Sequence, residues 1–394
     1  MTSALLLLPL LLGACASAQP TAPQEPPTPA VVRRALAAPE AAPRRASEET
    51  PPSLRLMAGG DVVFARYIRG ELRFVGGPDP FVHLRPLFRA ADLAVINLET
   101  PLTDVLPRTR RTRFGDLFFR APPEMLDHLV DAGIDLAITA NNHAEDCGEA
   151  GLADTIARLS AAGIAHAGTA ADGDPLAPVT VEVDGVRIAV VAATSKRNRG
   201  RPRPGQAIPV AYLSIADSIE RLPPIVRALR EAGDHDLVVV SLHWGAGGER
   251  RVHPRQIELA HAVVDAGADL VLGHHAHILQ AVEAYGDGFV VYGMGNLVFD
   301  MRDRYGRETA LFDLRLAPWG HRWRVERLII RPFLIDAPTE PPHPVGGEEA
   351  RRLLAPVAGA SERRFDTPLT AVGDTLVWRR APAETGLTPS EPGD

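Results

Sequence analysis

The sequence predicts an α/β domain built on a mixed sheet, and three observations carry that expectation. A unit of amphipathic helix, glycine and apolar strand recurs. One hairpin signal interrupts the alternation. Polar, metal-capable residues stand at the carboxyl ends of the expected strands. The recurring unit is legible in "MLDHLVDAGIDLAITANNH" (125–143), "IVRALREAGDHDLVVVSLHWG" (225–245) and "LAHAVVDAGADLVLGHHAH" (259–277). Each places apolar residues at helical spacing. Gly133, Gly233 or Gly267 then stands where a left-handed cap is wanted, and an apolar run of strand length follows. A fourth copy, "TIARLSAAGIAHAG" (155–168), keeps the helix and the glycine. Helices alternating with buried strands imply a largely parallel or mixed sheet. The irregular spacing of the copies excludes a solenoid. In "VTVEVDGVRIAVVAAT" (179–194), two alternating runs flank Asp184-Gly185, a hairpin turn that makes the sheet mixed.

Outside this domain, which the sequence bounds at 53–380, the ends differ in kind. "ALLLLPLLLGAC" is short for a membrane span and reads as the apolar segment of a secretory signal. Its close, Leu12-Gly13-Ala14-Cys15, resembles the lipobox of bacterial lipoproteins, in which the cysteine carries lipid. The expected result is a signal over 1–15 and lipidation at Cys15. That implies an extracytoplasmic protein anchored to a bacterial membrane without spanning it, on the periplasmic side or at the cell surface. No Lys or Arg precedes the apolar run, a departure from the usual signal. Residues 16–52 are rich in Pro and Ala with little to bury and read as a disordered tether; 381–394 read as a disordered tail. With Cys15 lipidated, Cys147 has no disulfide partner, so stability must come from the core. At 394 residues, 45 % of them hydrophobic, the chain has enough apolar surface for one. A net charge of −7 without a basic stripe excludes a nucleic-acid partner. The one basic cluster, "RTRRTRFG" (108–115), is short and reads as a solvated loop or an anion contact.

The strand ends carry the chemistry. "LRLMAGGD" ends in Asp61, "DLAVINLE" in Asn97 and Glu99, and "DLAITANNH" in Asn141, Asn142 and His143. "DLVVVSLHWG" delivers His243, "ADLVLGHHAH" delivers His274, His275 and His277, and "FVVYGMGN" ends in Asn296. Open α/β sheets bind ligands at the carboxyl edge of their strands. Singly, each residue has an ordinary structural explanation, such as a turn, a cap or a satisfied core histidine. Jointly, carboxylates, amides and imidazoles at one edge point to a shared site for Mn, Fe, Zn or a similar ion. The lack of thiolates speaks against structural zinc.

"AGGDVVFAR", "INLETPLT", "ANNHAEDCGEAGLADTIARL", "LHWG", "GHHAHILQAVEAY" and "YGMGNLVFD" together resemble the bacterial CapA family of poly-γ-glutamate capsule synthesis proteins, in the family's order over about 54–300. The resemblance implies a calcineurin-like metallophosphoesterase fold: a sandwich of two mixed β-sheets flanked by helices, with one or two divalent ions at the strand ends. It implies metal ligation by Asp61, Glu99, Asn142, His243, His275 and His277, with Glu99 bridging and His143 acting on the leaving group. His274 is then left over. Two departures stand out. Metallophosphoesterases carry a histidine where Val63 stands, and an aspartate where this chain has Glu99. Cys147, close behind the "NNH" motif, is either a soft ligand or a packed thiol. Arg66, Arg120 and Asn296 are candidates for an anionic substrate; the guanidinium groups would pair with carboxylate or phosphate, or equally form surface ion pairs.

The function this implies is a surface-anchored, metal-dependent hydrolase or transferase of capsule polymer synthesis. Its partners would be an anionic polymer or phosphoester, a membrane surface and the synthesis or export machinery. The alternative is a non-catalytic, polymer-binding accessory protein. A nucleotide phosphodiesterase is disfavoured by Val63.

Overall fold

Runs such as "LAVINL" and "LVVVSLH" are apolar at nearly every position, and every residue of both is buried. Strands of that kind must be covered on both faces. The computed structural model describes residues 53–64, 66–67, 76–106, 118–198, 209–301, 303–337 and 340–381. The expected signal with Cys15, the tether, residues 382–394 of the tail and the basic cluster 108–115 lie outside the described residues.

The chain opens with β1 (Leu54–Val62), β2 (Arg66–Tyr67), α1 (Arg85–Arg89), β3 (Leu93–Leu98) and β4 (Phe118–Phe119). It continues through α2 (Leu126–Ala132), β5 (Leu136–Ile138), α3 (Gly148–Ala161), β6 (Ala165–Ala167), β7 (Val179–Val183) and β8 (Val186–Thr194). Next come α4 (Ile215–Ala232), β9 (Leu237–His243), α5 (Pro254–Asp265), β10 (Leu270–His274), β11 (Val282–Tyr285), β12 (Gly288–Val291) and β13 (Asn296–Val298). The last part is α6 (Arg304–Arg307), β14 (Glu308–Trp319), β15 (Arg322–Leu334), β16 (His343–Pro344), α7 (Gly347–Phe365), β17 (Thr370–Val372) and β18 (Thr375–Arg379). The recurring unit folds as helix then strand in each copy; Gly133 (φ 79°) and Gly233 (φ 69°) cap α2 and α4 in the left-handed region, whereas α5 is capped by Ala266 and Gly267 follows at φ 119°. The fourth copy also ends in a strand, β6. Asp184 (φ 49°) and Gly185 (φ 82°) turn the β7–β8 hairpin.

Two mixed sheets result. The larger runs β17-β18-β15-β14-β1-β3-β5-β6, with β13 alongside β1 and β16 alongside β15. The smaller runs β11-β12-β10-β9-β8-β7, and β2 and β4 form a separate ribbon. Leu56, Val95, Phe312 and Ile330 of the first sheet meet Val190, Val239, Leu272 and Val291 of the second in one core. Phe88 and Leu129 cover the outer face of the first sheet at Met57, Ala94 and Ile96. Leu222, Val226, Leu259 and Val263, from α4 and α5, cover the second. This is the expected sandwich of two mixed sheets flanked by helices. No helix among the described residues is long and apolar enough to cross a membrane.

One element departs from expectation. "FVVYGMGN" is not a single strand: β12 stops at Val291, and Asn296 begins β13, which pairs in parallel with β1 of the other sheet. The crossing is tight because Gly60 lets backbone meet backbone. A Cβ there would lie 2.0 Å from the Gly295 carbonyl oxygen, which accepts the Asp61 N–H at 2.9 Å.

On the outer face, Asp313 clamps three strands. Arg55 donates to both its oxygens at 2.9 Å, and Arg331 donates to Oδ2 at 2.8 Å. Burial alone would raise the Asp313 pKa, but the two guanidinium groups outweigh it and hold the carboxyl below its usual range. The stabilisation it contributes is therefore full above about pH 4 and is lost as the pH falls through its lowered native value. Asp313→Asn is expected to cost about 2 kcal/mol at pH 7. The difference from the parent should shrink below about pH 4, measured by urea unfolding across pH. A cost that stays constant down to pH 2.5 would show that the carboxylate charge contributes nothing.

Candidate metal centre

The register of the strands builds the site. Asp61 pairs with Asn97 across β1–β3, and the Glu99 N–H donates to the Val62 carbonyl at 3.0 Å, so both carboxylates leave the same rim. In the second sheet Thr194, His243 and His274 stand side by side across β8, β9 and β10. The "HHAH" run then turns out of β10 with His275 at φ 85° and His277 at φ 58°. Non-glycine residues seldom adopt that conformation, which costs roughly 1–2 kcal/mol each. Here it is concentrated where two imidazoles must turn toward the carboxylates.

Two groups of ligand-type atoms result, each lying within 4.8 Å: Glu99, His243 and His275 in one; Asp61, Glu99 and His277 in the other. Glu99 belongs to both. In the first group His243 Nε2 is the focus, 3.5 Å from Glu99 Oε1, 3.1 Å from His275 Nδ1 and 2.7 Å from Asn142 Oδ1. In the second, His277 Nδ1 lies 3.1 Å from Asp61 Oδ2 and 4.0 Å from Glu99 Oε2. Asp61, Glu99 and His243 are wholly buried, while the His277 side chain is 20 % exposed, so the site has a closed floor and an open mouth.

The electrostatics follow from that burial. For Asp61, desolvation works against ionisation, yet contacts with His274 and His277 hold the carboxyl well below its usual range. His277 is opposed by its own burial, but Glu99 and Asp61 raise it to about 9. His275 is pushed down to about 3 by burial and by the charges of His277 and Lys196. His243 is likewise held well below its usual value by burial and then by His275. Near neutral pH the site offers an anionic Asp61, neutral imidazoles at His243 and His275, and one positive charge on His277. Buried carboxylates need such a counter-charge. Carboxylate oxygens, an amide oxygen and the neutral imidazoles of His243 and His275 fit a divalent first-row ion, and loss of the His277 proton would open the second group to another.

Further residues complete the site. Asn97 donates to Asp61 Oδ1 at 2.7 Å, and Asn141 donates to the Leu98 carbonyl at 2.8 Å. His143 is buried, stacked on Phe119 with ring centroids 3.8 Å apart, and its Nδ1 lies 2.6 Å from Asp146 Oδ2. Asn198 Nδ2 approaches the same ring at 3.2 Å, and Asn198 Oδ1 accepts from Asn142 at 3.1 Å. Asp146 and Asn198 escape a reading of strand ends because neither ends a strand. The i, i+3 spacing of His143 and Asp146 is the only local signal. Lys196, two residues beyond Thr194 on the same rim, has a clearer one: it is the chain's single lysine among 42 basic residues.

The remaining sequence candidates fall differently. Asn296, expected at the substrate, is wholly buried. Its Oδ1 lies 3.0 Å from His277 Nδ1, and its amide donates to the His277 and Gly306 carbonyls at 3.2 and 2.7 Å. It therefore orients His277. Arg120 is half-buried and donates to the Thr103 carbonyl at 3.0 Å, tying β4 to the segment after β3. Arg66 pairs with Phe119 through the β2–β4 backbone, and its side chain lies outside the described residues. His274, the residue left over, stands behind Asp61 with Nδ1 3.4 Å from Oδ1, and its Nε2 has no hydrogen-bond partner. Cys147 is buried at the start of α3 and belongs to neither ligand group.

Sandwich and rim together define an α/β protein with a buried carboxylate–histidine centre of metal-binding type. The chain belongs to the family described as bacterial capsule synthesis protein PGA_cap, whose model matches residues 55–301. It is 30 % identical over 267 residues to "Capsule biosynthesis protein CapA" of Bacillus anthracis, covering 66 % of this chain and 63 % of that one. It is equally similar to "PGA biosynthesis protein CapA" of Bacillus subtilis, covering 67 % of that relative. It is also 31 % identical over 243 residues to a probable polyglutamine synthesis accessory protein of Mycobacterium tuberculosis, covering 58 % of this chain and 60 % of that one. Among solved structures, a novel phosphatase from Mycoplasma pneumoniae superposes with a TM-score of 0.44 at 12 % identity, covering 73 % of this chain and 96 % of that one. The NAD nucleotidase of Haemophilus influenzae gives 0.40 at 14 %, covering 77 % and 55 %.

The strain at His275 yields a prediction. Glycine normally costs about 0.5–1 kcal/mol relative to alanine in regular structure, but at φ 85° the order should invert. His275→Gly is expected to be about 1 kcal/mol more stable than His275→Ala, measured by denaturant unfolding. Greater stability of the alanine variant would show that the position stores no strain.

Proposed function

We infer that this protein is a metal-dependent hydrolase or transferase acting on an anionic polymer in polyglutamate capsule synthesis, anchored through Cys15 outside the cytoplasm. The observation that carries the reading is Glu99, whose two oxygens face two separate histidine groups. The first ion would be held by Glu99, Asn142, His243 and His275, and the second by Asp61, Glu99 and His277, whose proton that ion would displace. When bound, such a pair supplies a water of lowered pKa and stabilises charge on the displaced oxygens.

The chain's own residues supply the rest. Asp146 Oδ2 accepts the proton of His143 Nδ1 and fixes the ring, which leaves Nε2 to exchange a proton with the leaving group. Phe119 and Asn198 fix the ring in place. Asn97 and Asn296 orient Asp61 and His277. Lys196 brings positive charge to the mouth beside His275, where an anionic carboxylate or phosphoryl group would be received. The bond broken is a phosphoester or a γ-glutamyl amide.

Metal content by mass spectrometry and turnover on a phosphoester and a γ-glutamyl amide test this reading. Glu99→Gln is expected to lose most of the bound metal. His143→Ala should keep its metal and lose roughly 10²–10⁴-fold in kcat. Lys196→Ala should raise KM more than it lowers kcat. Metal retained in Glu99→Gln would remove the bridging role. Stoichiometric metal with no turnover on either class, together with polymer binding that survives chelation, would replace the enzyme with an accessory binding protein.

A further inference from the structure

The outer face of the larger sheet carries a feature that the metal centre does not explain. Across β1, β14, β15 and β18 the register sets Arg55 opposite Arg315, Arg315 opposite Arg327, and Arg327 opposite Arg379. Directly opposed residues point to the same face, so four guanidinium groups stand in one row perpendicular to the strands. With strands about 4.8 Å apart, the row is about 14 Å long. Like charges directly opposed destabilise a sheet, and this one carries three such pairings in succession.

The row is closed at one end and open at the other. Arg55 is held by Asp313, which also holds Arg331. Arg315 and Arg379 are exposed, Arg327 is half-buried, and no ion pair joins any of the three to an acidic side chain among the described residues. Arg315 reaches only Ser53 Oγ, at 3.4 Å, and Arg327 Nε is buried without a hydrogen-bond partner. Burial and then the charge of Arg379 lower the Arg327 pKa, and the charge of Asp313 offsets them only in part. On this outer face the covering helices lie over β1, β3 and β5, through Phe88 and Leu129, while α7 packs against β15 and β18 from the other face, with Leu353 and Leu354 beside Leu328 and Leu376.

We propose that Arg315, Arg327 and Arg379 form a docking strip for a linear polyanion bearing carboxylates along its length, with the Arg55–Asp313 pair marking its closed end. The strip is one residue wide and has an acid beside it, which matches a line of negative charge better than a plane of it. Arginine suits the role because its planar fork pairs with carboxylates two bonds at a time. The strip rests on the polymer reading above for its ligand class, but its residues are distinct from both ligand groups.

The test is binding of fluorescent poly-L-glutamate to the full chain, by anisotropy, at several salt concentrations. It compares the parent with Arg315→Gln/Arg327→Gln/Arg379→Gln and with the corresponding triple lysine variant. The glutamine variant is expected to bind at least 10-fold more weakly, with a shallower salt dependence. The lysine variant should recover part of the affinity. Metal content and thermal unfolding, measured beside it, are expected to match the parent or to show a slightly higher Tm once like charges are removed. Equal polymer affinity in parent and glutamine variant would overturn the proposal. So would a variant that keeps polymer but loses binding to anionic phospholipid vesicles, which would make the strip a membrane contact. Loss of self-association in sedimentation with polymer binding intact would make it a contact between copies. Polymer binding that depends on the strip in a protein found to hold no metal would retain this inference and remove only the enzymatic reading.

Discussion

Two wholly buried carboxylates, Asp61 and Glu99, meeting at one rim are the constraint on which the rest of this structure turns. Neither can remain ionised in a low-dielectric setting without positive charge close by. The fold answers with histidines carried by β9 and β10, paired strands of the opposite sheet. His277 carries the compensating charge, while burial keeps His243 and His275 neutral and able to donate lone pairs. Such a centre cannot be assembled on one sheet. It requires the carboxyl ends of β1 and β3 from one layer to face those of β9 and β10 from the other.

The packing serves that meeting. Gly60 brings β1 against the carbonyl of Gly295, so the chain leaving the second sheet threads directly into the first as β13. Asn296, at the start of β13, then hydrogen-bonds His277 and couples the crossing to the ligand geometry. The strain at His275 and His277 is the local cost of aiming the rings inward. The surrounding core, continuous between the two sheets, over-determines the backbone enough to sustain it.

Charge is handled oppositely at the two extremes of the larger sheet. At the rim, anions are concentrated and matched by buried imidazoles. On the open outer face, arginines are aligned, with Asp313 set among them. A chain with a net charge of −7 that nonetheless lines up four arginines across four strands is organised to meet negative charge at a defined place.

By itself the sequence determined the helix–glycine–strand units, the β7–β8 hairpin and the list of strand-end residues. Each of these is written in local periodicity or in a turn's demand for a left-handed residue. It also carried the family motifs, since those residues sit in short contiguous runs. Other features were decided only when distant segments met. The division of the ligands into two groups sharing Glu99 depends on how the sheets face one another. Asp146 and Asn198 act on His143 through contacts that no strand-end pattern encodes. Asn296 changed from an expected substrate contact to a support for His277 because its strand joined the other sheet. The arginine row joins positions 55, 315, 327 and 379, and only β-sheet register, with its bulge after Arg315, can bring side chains so far apart in the chain into one line.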